Sequence, residues 1–288
     1  MKMKKLVSVV LATTMMIGIA GCSSTTSGSA DKLEQIKEAG KIVLGTSPDF
    51  PPSEFYILDE NGEKQIVGSD ISLAQAIADE IGVELEIKAT DFNGVLANVQ
   101  SGSVDMAISG FAQTEERKQV MQFSEGYQRE DSEDYQGILT TKENAEKYKT
   151  LEEFKAANLT IAAQSGSIQY ELAMKLTDEA NIKQYGTTDA SALALDAGDI
   201  DAVIVSSNSA LPMLDTFTDL TLLPKDGFDL DPEAMYSTNV IGFPLGDEYQ
   251  SLIDLCNDVI EKARENGDLE KWVTEAKELS AQAVEVEE

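Results

Sequence analysis

The most specific stretch of the sequence is residues 108–117, which are Ile-Ser-Gly-Phe-Ala-Gln-Thr-Glu-Glu-Arg. This stretch begins at the end of an apolar run, 104–109, that predicts a buried strand. Parallel α/β sheets present ligand-binding groups where their strands end, which is where Ser109 and Gly110 stand. Gly110 has no side chain, so a ligand can approach its backbone closely. The stretch therefore predicts a ligand site at the end of this strand.

Arg117 closes the stretch and is the predicted clamp for a ligand carboxylate. A guanidinium group binds a planar carboxylate through two parallel hydrogen bonds. Thr114 is predicted to be a helix N-cap, with Glu115 and Glu116 in the first helical turn. The alternative is a surface arginine in an ion pair with these two glutamates. The context of Arg117, just after a strand end, favours the ligand role.

Strands and amphipathic helices alternate on both sides of this stretch. Apolar or alternating runs predict strands at 42–45, 83–88, 104–109, 138–141, 159–163, 182–185, 202–205 and 240–243. Helical spacing of apolar residues predicts helices at 70–81, 92–100, 151–157, 168–180, 190–197 and 252–263, and a final helix around Trp272. Such alternation is typical of parallel sheets flanked by helices. No Pro/Gly linker separates the two units, so we expect lobes joined by extended crossings.

The composition excludes several functions. The chain has no His, and its formal net charge is −30. Without His there is no common general base, no usual zinc ligand, and no Ser-His or Cys-His catalytic pair. A strongly acidic surface repels the phosphates of nucleic acid. We therefore expect no cofactor, no metal, no nucleic-acid partner and no enzymatic activity.

The N-terminus has the features of an export signal. Three lysines within residues 2–5 precede an apolar run at 6–20, which ends in Ile-Ala-Gly-Cys at 19–22. This pattern is typical of a secretory signal rather than a membrane span. Cys22 resembles the lipobox cysteine of bacterial lipoproteins, whose thiol is acylated and before which the chain is cut. The alternative is an ordinary signal peptide with an incidental Cys.

The lipoprotein hypothesis fixes the ends of the chain. Residues 1–21 would be the signal peptide, and 22–30 would be a flexible, lipid-anchored tether rich in Ser and Thr. Residues 282–288 form an acidic tail that is predicted to fray. Cys256 would be left without a disulfide partner, and its place on an apolar helical stripe predicts burial.

Several short motifs share the order and spacing of one protein family. They lie at 41–46, 49–52, 66–71, 91–96, 108–117, 164–167 and 201–205. Together they resemble solute-binding proteins of the extracellular family 3 type, which serve ABC transporters for polar amino acids. The resemblance runs from about residue 39 to about residue 279.

The resemblance implies a two-lobed, type II periplasmic-binding-protein fold. Each lobe would be a mostly parallel sheet flanked by helices, with the cleft between them. Lobe 1 would hold residues 31–138 and 241–281, and lobe 2 would hold 139–240. A monomer on the outer face of the cell membrane would capture an amino acid or a related small carboxylate. It would deliver this ligand to the permease of an ABC transporter.

The resemblance also carries over several site residues. It places Phe50 and Phe92 against the side chain of the ligand, although either ring would also suit the core. Gly166 and Ser167 would approach the ligand carboxylate from lobe 2, and helix capping is an equal alternative for Ser167. Asp70 would face a polar group of the ligand, but capping of its helix is the stronger prediction.

Two site positions depart from the family pattern. Ala112 stands where the family often has Ser or Thr, so one hydroxyl contact is absent. Ser206 stands where an Asp usually pairs with the α-ammonium of the ligand, and a neutral hydroxyl binds an ammonium less strongly. Either the ligand has no α-ammonium, or the missing charge comes from Asp49, Glu54 or the acidic stretch 125–134.

Two other functions suit the same fold. Cyclohexadienyl dehydratases share it and need an acid/base pair at the cleft, and no spacing of carboxylates in this sequence singles out such a pair. A sensory module would present the bound ligand to a membrane receptor. A sensory module and a transport protein both close their lobes around the ligand, so the sequence does not separate these two functions.

Overall fold

The fold was established from a computed structural model that describes residues 31–129 and 133–284. The signal peptide, Cys22 and the tether lie outside these residues and stay predictions. Among the described residues, no helix has both the length and the apolar character needed to cross a membrane.

The secondary structure alternates along the chain. The strands are β1 (Lys41–Thr46), β2 (Asp49–Phe50), β3 (Glu54–Leu58), β4 (Lys64–Val67), β5 (Glu84–Ala89), β6 (Met106–Ala107), β7 (Met121–Arg129), β8 (Gln136–Thr141), β9 (Ile161–Gln164), β10 (Ile182–Tyr185), β11 (Ala202–Ser206), β12 (Leu220–Leu222) and β13 (Thr238–Pro244). The helices are α1 (Lys32–Ala39), α2 (Ser69–Ile81), α3 (Phe92–Ser101), α4 (Lys142–Lys147), α5 (Leu151–Ala156), α6 (Ile168–Ala173), α7 (Thr188–Asp196), α8 (Ser207–Met213), α9 (Lys225–Phe228), α10 (Gln250–Asn266) and α11 (Asp268–Leu279). Short 3-10 turns lie at Arg117–Gln119, Glu179–Asn181, Asp247–Tyr249 and Ser280–Gln282.

Two five-stranded sheets form the centres of two lobes. Their strand orders are β5-β1-β6-β13-β7 and β10-β9-β11-β8-β12. In the first sheet β13 runs antiparallel to both of its neighbours, and in the second sheet β8 does so. The remaining strands of each sheet share one direction. The predicted α/β class with mostly parallel sheets is therefore confirmed.

Helices cover both faces of each sheet, which explains the apolar strand sequences. In β11, Ala202 and Ile204 pack into one core cluster, whereas Val203 and Val205 pack into another on the opposite face. Successive side chains of a strand point to opposite faces, so a strand buried on both sides needs a continuous apolar run. In the first sheet, α1, α2 and α10 pack on one face and α3 packs on the other.

The long amphipathic helices form where their spacing predicts. α2 ends at Gly82, which adopts the left-handed conformation with φ 81° and caps the helix through its N–H. On α10, Cys256 is fully buried among apolar neighbours, as predicted. Burial raises the pKa of its thiol, so Cys256 packs as a small apolar residue. Trp272 packs against the same core.

Two local predictions were wrong. The helix predicted at 168–180 ends at Ala173, and Glu179–Asn181 forms a separate 3-10 turn. Of the strand predicted at 104–109, only Met106–Ala107 pairs as a strand. The frayed tail at 282–288 stays a prediction, since residues 285–288 lie outside the described residues; the Val284 N–H donates to the carbonyl oxygen of Tyr56 at 2.9 Å.

The chain crosses between the two sheets twice. The first crossing joins β7 to β8, and the second joins β12 to β13. A third, small antiparallel sheet, β2-β3-β4, was not predicted and carries Asp49, Phe50 and Glu54 beside the first sheet. The predicted lobe boundaries at 138/139 and 240/241 stay a prediction, because they rest on the family resemblance.

Candidate functional site

A pocket lies between the lobes, lined by residues of both. The structure brings most of the predicted site residues to its wall: Phe50, Phe92, Ser109, Gly110, Ala112, Arg117 and Ser167. Gly166 adjoins the wall through its contact with Arg117. Asp70 and Ser206 are not part of this wall.

The wall also contains residues that sequence reasoning did not assign to the site. They are Phe111, Gln136, Gln164, Ile168, Gln169 and Tyr236, together with Asp49 and Glu54, which were considered only as sources of a missing charge. Gln164 belongs to the motif at 164–167, so that motif was a usable signal for it. Gln136 and Tyr236 lie near the crossings, where no local pattern indicates a ligand role.

Arg117 is held in place by backbone groups of both lobes. Its backbone N–H donates to the Thr114 hydroxyl at 3.1 Å. The prediction of Thr114 as a helix N-cap was wrong, because a single 3-10 turn forms at Arg117–Gln119 and its N-cap is Glu116. The Nη1 of Arg117 donates to the carbonyl oxygen of Ala112 at 2.7 Å. Its Nη2 donates to the carbonyl oxygen of Gly166, in lobe 2, at 3.1 Å. These bonds fix the direction of the guanidinium plane.

The guanidinium of Arg117 is a buried charge without a carboxylate partner. Arg117 is 7% exposed, and no ion pair in the described part of the chain includes it. The alternative of a surface ion pair was wrong, because Glu115 pairs with Lys118 instead. Burial lowers the pKa of Arg117 to about 10, which still leaves it charged at neutral pH. A buried, unpaired cation strongly favours an anionic ligand group.

Two aromatic rings support Arg117 from the side of the first lobe. The Phe92 and Phe111 ring centroids lie 6.3 Å apart in an edge-to-face arrangement. The Arg117 Cζ lies 5.4 Å from the Phe92 centroid and 5.7 Å from the Phe111 centroid. Cation–π contacts of this kind hold a guanidinium in an apolar setting. Phe92 belongs to a core cluster and also lines the pocket, and its contact with the ligand side chain stays a prediction.

The strand end at Ser109 and Gly110 forms the floor of the pocket. The Ser109 hydroxyl accepts from the Ser47 N–H at 3.0 Å and donates to Glu54 Oε1 at 3.0 Å. Gly110 has φ 54°, and a Cβ added there would lie 2.9 Å from Cδ1 of Phe50. A glycine is therefore required for both the backbone conformation and the close approach of the Phe50 ring.

The lobe 2 wall is formed by the turn before α6. Gly166 has φ 75°, and a Cβ added there would lie 3.2 Å from the Asn93 side chain on α3. Ser167 is the N-cap of α6: its hydroxyl accepts from the Tyr170 N–H at 3.4 Å and donates to the carbonyl oxygen of Gln164 at 2.8 Å. Ser167 thus caps a helix and lines the pocket at the same time.

Asp49 connects the lobes at another edge of the pocket. Its Oδ2 accepts from Gln164 Nε2 at 2.8 Å and from the Thr188 N–H at 3.1 Å, both in lobe 2. Its Oδ1 accepts from the Ser47 hydroxyl at 2.7 Å. Burial raises the pKa of Asp49, and these hydrogen bonds oppose that rise. Both oxygens of Asp49 are therefore already occupied in this arrangement of the lobes.

Asp70 does not cap its helix, which corrects the stronger of the two predictions for it. The N-cap of α2 is Gly68, and Asp70 is fully buried in the first turn of the helix. Its Oδ2 accepts from the Tyr127 hydroxyl at 2.7 Å and from the Gly110 N–H at 2.9 Å. Asp70 therefore lies behind the pocket floor, and Glu54 is the carboxyl group that lines the pocket.

Ser206 lies in a neighbouring cavity that shares Phe50 and Gln164 with the pocket. It is 1% exposed, and its hydroxyl has no hydrogen-bond partner among the described residues. Contact of Ser206 with the ligand therefore stays a prediction. In the described part of the chain, no group of His, Cys, Asp and Glu side chains is arranged to hold a metal ion.

The fold and this pocket define a two-lobed binding protein, and comparison of sequences identifies its family. Residues 42–275 match the model of the bacterial extracellular solute-binding proteins, family 3, so the chain belongs to this family. It is 30% identical over 281 residues to the arginine-binding extracellular protein ArtP of Bacillus subtilis. This alignment covers 94% of this chain and 99% of ArtP. It is 26% identical over 260 residues to the L-cystine-binding protein TcyJ of Escherichia coli. That alignment covers 88% of this chain and 90% of TcyJ.

Comparison with solved structures leads to the same family. The substrate-binding protein AbpA of an amino acid ABC transporter from Streptococcus pneumoniae, bound to L-arginine, superposes with a TM-score of 0.73 and 32% identity, over 86% of this chain and 98% of AbpA. The ancestral amino acid-binding protein AncCDT-1, a precursor of cyclohexadienyl dehydratase, superposes with a TM-score of 0.69 and 26% identity, over 84% of this chain and 98% of AncCDT-1.

Proposed function

We propose that this chain binds an amino acid with a cationic side chain, arginine first among them, and delivers it to the permease of an ABC transporter. The observation that carries the proposal is the buried guanidinium of Arg117, which lines the pocket and has no carboxylate partner among the described residues. The carboxylate of the ligand would form two parallel hydrogen bonds with it. The ligand carboxylate would thus supply the counter-charge for Arg117.

The opposite charge on the same wall supports a cationic ligand. The carboxyl group of Glu54 lines the pocket, and Phe50 and Tyr236 add aromatic surface. Acid groups and ring faces both attract a guanidinium or ammonium group. The arginine-binding relative and the arginine-bound structure support the same ligand class.

Closure of the lobes would make the loaded protein recognisable to a permease. Arg117 and Asp49 each bond across the cleft, so a ligand held between them would stabilise the closed form. A ligand shifts a conformational equilibrium only through its different affinity for the two states. Membership of a transporter-associated family supports delivery to a permease, and the relatives above are named as binding proteins rather than enzymes.

Titration calorimetry with three matched ligands tests the ligand class. Arginine carries both charged ends, citrulline replaces the guanidinium by a neutral group of similar shape, and agmatine lacks the carboxylate. We expect arginine to bind tightest and each analogue to bind at least tenfold more weakly, since a lost charged partner in a buried site typically costs about 2–5 kcal/mol. Equal binding of arginine and citrulline would contradict the cationic class.

The proposed location rests on Cys22, with its lipobox-like context at 19–22. The lipid anchor would hold the binding protein on the outer face of the membrane, beside the permease, as a monomer. Replacing Cys22 by Ala should move the protein from the membrane fraction to the medium. Retention of the variant in the membrane fraction would contradict the anchor.

The enzymatic alternative is tested with the same purified protein. Incubation with arogenate or prephenate should give no product. The sensory alternative predicts binding to a membrane receptor rather than to a permease. Uptake of labelled arginine should therefore fall in cells that lack this protein, and unchanged uptake would favour sensing.

A further inference from the structure

The floor of the pocket contains two buried carboxyl groups side by side. Glu54 and Asp70 are both 0% exposed, and they accept hydrogen bonds from two consecutive residues, Ser109 and Gly110. No ion pair among residues 31–129 and 133–284 includes either of them. Two adjacent carboxylates that are buried without a cation strongly disfavour ionisation of both.

The hydrogen-bond donors around the pair leave a place for one proton. Asp70 Oδ2 accepts from Tyr127 and from the Gly110 N–H, and Glu54 Oε1 accepts from Ser109. The two remaining oxygens, Glu54 Oε2 and Asp70 Oδ1, are buried and have no donor among the described residues. A proton on Glu54 supplies that donor. Asp70 already has two other donors, so it retains the negative charge.

No cationic side chain in the described part of the chain forms an ion pair with Glu54. Its ionisable neighbours include Asp49 from β2, Asp70 from α2 and Tyr127 from β7. Arg117 lines the same pocket, but its charged neighbours are Glu171 and Glu116. Burial, and then the charge of Asp70, hold the pKa of Glu54 well above its ordinary value.

The position of Glu54 also indicates which end of a ligand it would meet. A single carbon joins the α-ammonium and the carboxylate of an amino acid, so both groups stay at the Arg117 end of the pocket. Glu54 lines the same pocket but forms no ion pair with Arg117 among the described residues. A ligand side chain that extends from the Arg117 end of the pocket can bring its far end to Glu54.

We propose that Glu54 and Asp70 share one proton and that the cationic side chain of the ligand replaces it. The neutral Glu54 carboxyl group loses its proton to solvent, and the resulting carboxylate binds the ligand cation. Glu54 would then select for cationic side chains, and Asp70, which does not line the pocket, would act as a positioning residue for it. This inference rests on the proposed binding of a cationic amino acid.

Calorimetry in buffers of different ionisation enthalpy counts the protons released on binding. Arginine should release a proton on binding, and citrulline should release none. The affinity for arginine should rise by up to about tenfold per pH unit while the exchange operates, and the affinity for citrulline should stay constant. Release of no proton with arginine, or of as many with citrulline, would overturn the proposal.

Two variants locate the source of the proton. Glu54→Gln keeps a donor for Asp70, so it should fold, bind arginine at least tenfold more weakly and release no proton. Glu63→Gln, an exposed carboxyl group in the turn after β3, should behave as wild type. Continued proton release by Glu54→Gln would overturn the assignment. Failure of arginine to bind wild-type protein would overturn the proposed function as well, whereas binding without proton release would overturn this inference alone.

Discussion

The Arg117 Nη2 donates to the carbonyl oxygen of Gly166 at 3.1 Å, and this bond joins the two lobes at the wall of the pocket. The same guanidinium is the cation proposed to bind the ligand carboxylate. Ligand binding and lobe closure therefore depend on one side chain. A change at Arg117 should affect both, which separates it from residues that only pack.

Replacing Arg117 should strongly weaken ligand binding. Removal of one partner of a buried charged pair typically costs about 2–5 kcal/mol, so Arg117→Ala should raise the Kd for arginine at least tenfold. Arg117→Lys should also weaken binding, because an ammonium cannot form two parallel hydrogen bonds with a carboxylate. Calorimetry on folded variants measures both effects.

A second arginine provides the control for this substitution. Arg264 is exposed, donates to the carbonyl oxygen of Gly126 at 2.6 Å and does not line the pocket. Arg264→Lys should therefore leave the affinity for arginine unchanged. If Arg117→Lys also binds like wild type, the carboxylate does not bind at Arg117.

The sequence predicted the fold well because burial leaves a periodic pattern. The strand at β11 and the helices α2 and α10 follow directly from apolar spacing. Apolar spacing failed to predict the structure where strand pairing determines it. The hairpin sheet β2-β3-β4 includes a two-residue strand, too short for any period to be visible. The 168–180 helix ends early although its residues suit a longer helix, so tertiary contacts overrode propensity.

The site could be predicted only in part. Arg117, Gly110 and Phe92 belong to local motifs, and the structure brings them together. Asp70 was assigned to capping because its place at the start of a helix is visible in sequence, whereas its bond to Tyr127 joins residues far apart in the chain. The Asp49 contacts with Gln164 and Thr188 also cross between lobes. No local pattern encodes such contacts.

Removing the Asp49 side chain should weaken all ligands alike. Asp49→Ala breaks two hydrogen bonds between the lobes, so the closed form becomes less populated. Apparent affinity falls with the fraction of the binding-competent state. Hydrogen bonds to a charged group contribute about 1.5–3 kcal/mol each, so we expect a loss of at least tenfold. Arginine and citrulline should lose affinity by similar factors, and a loss confined to arginine would assign Asp49 to the ligand cation instead.

Adding a methyl group at Gly110 should displace the Phe50 ring. Gly110 has φ 54°, and its added Cβ would lie 2.9 Å from Phe50 Cδ1. Gly40 has φ 71° and no atom within 4 Å of an added Cβ, so it is a matched control. Both alanine variants should lose about 1–2 kcal/mol of stability from the left-handed backbone. Only Gly110→Ala should also bind arginine more weakly, and equal affinities of the two variants would mean that the Phe50 ring does not contact the ligand.

The buried carboxyl group of Glu54 should make the stability of the ligand-free protein depend on pH. Burial, and then the charge of Asp70, raise the pKa of Glu54 well above its ordinary value of 4.5 in the folded state. Between 4.5 and the folded-state pKa, unfolding releases this proton. The free energy of unfolding therefore falls as pH rises, by about 1.4 kcal/mol per pH unit for one proton. Below 4.5 the proton stays bound in both states, and this contribution to stability is fully present.

Comparison of two amide variants separates this effect from the general repulsion in a chain of net charge −30. Urea unfolding at pH 5, 6 and 7 gives the free energy of unfolding for wild type, Glu54→Gln and Glu63→Gln. Glu54→Gln has no proton to release, so its stability should fall less steeply than that of wild type. Glu63→Gln should follow wild type, because Glu63 is exposed. Parallel profiles for all three proteins would show that Glu54 is ionised in the folded state, and the shared proton would then be excluded.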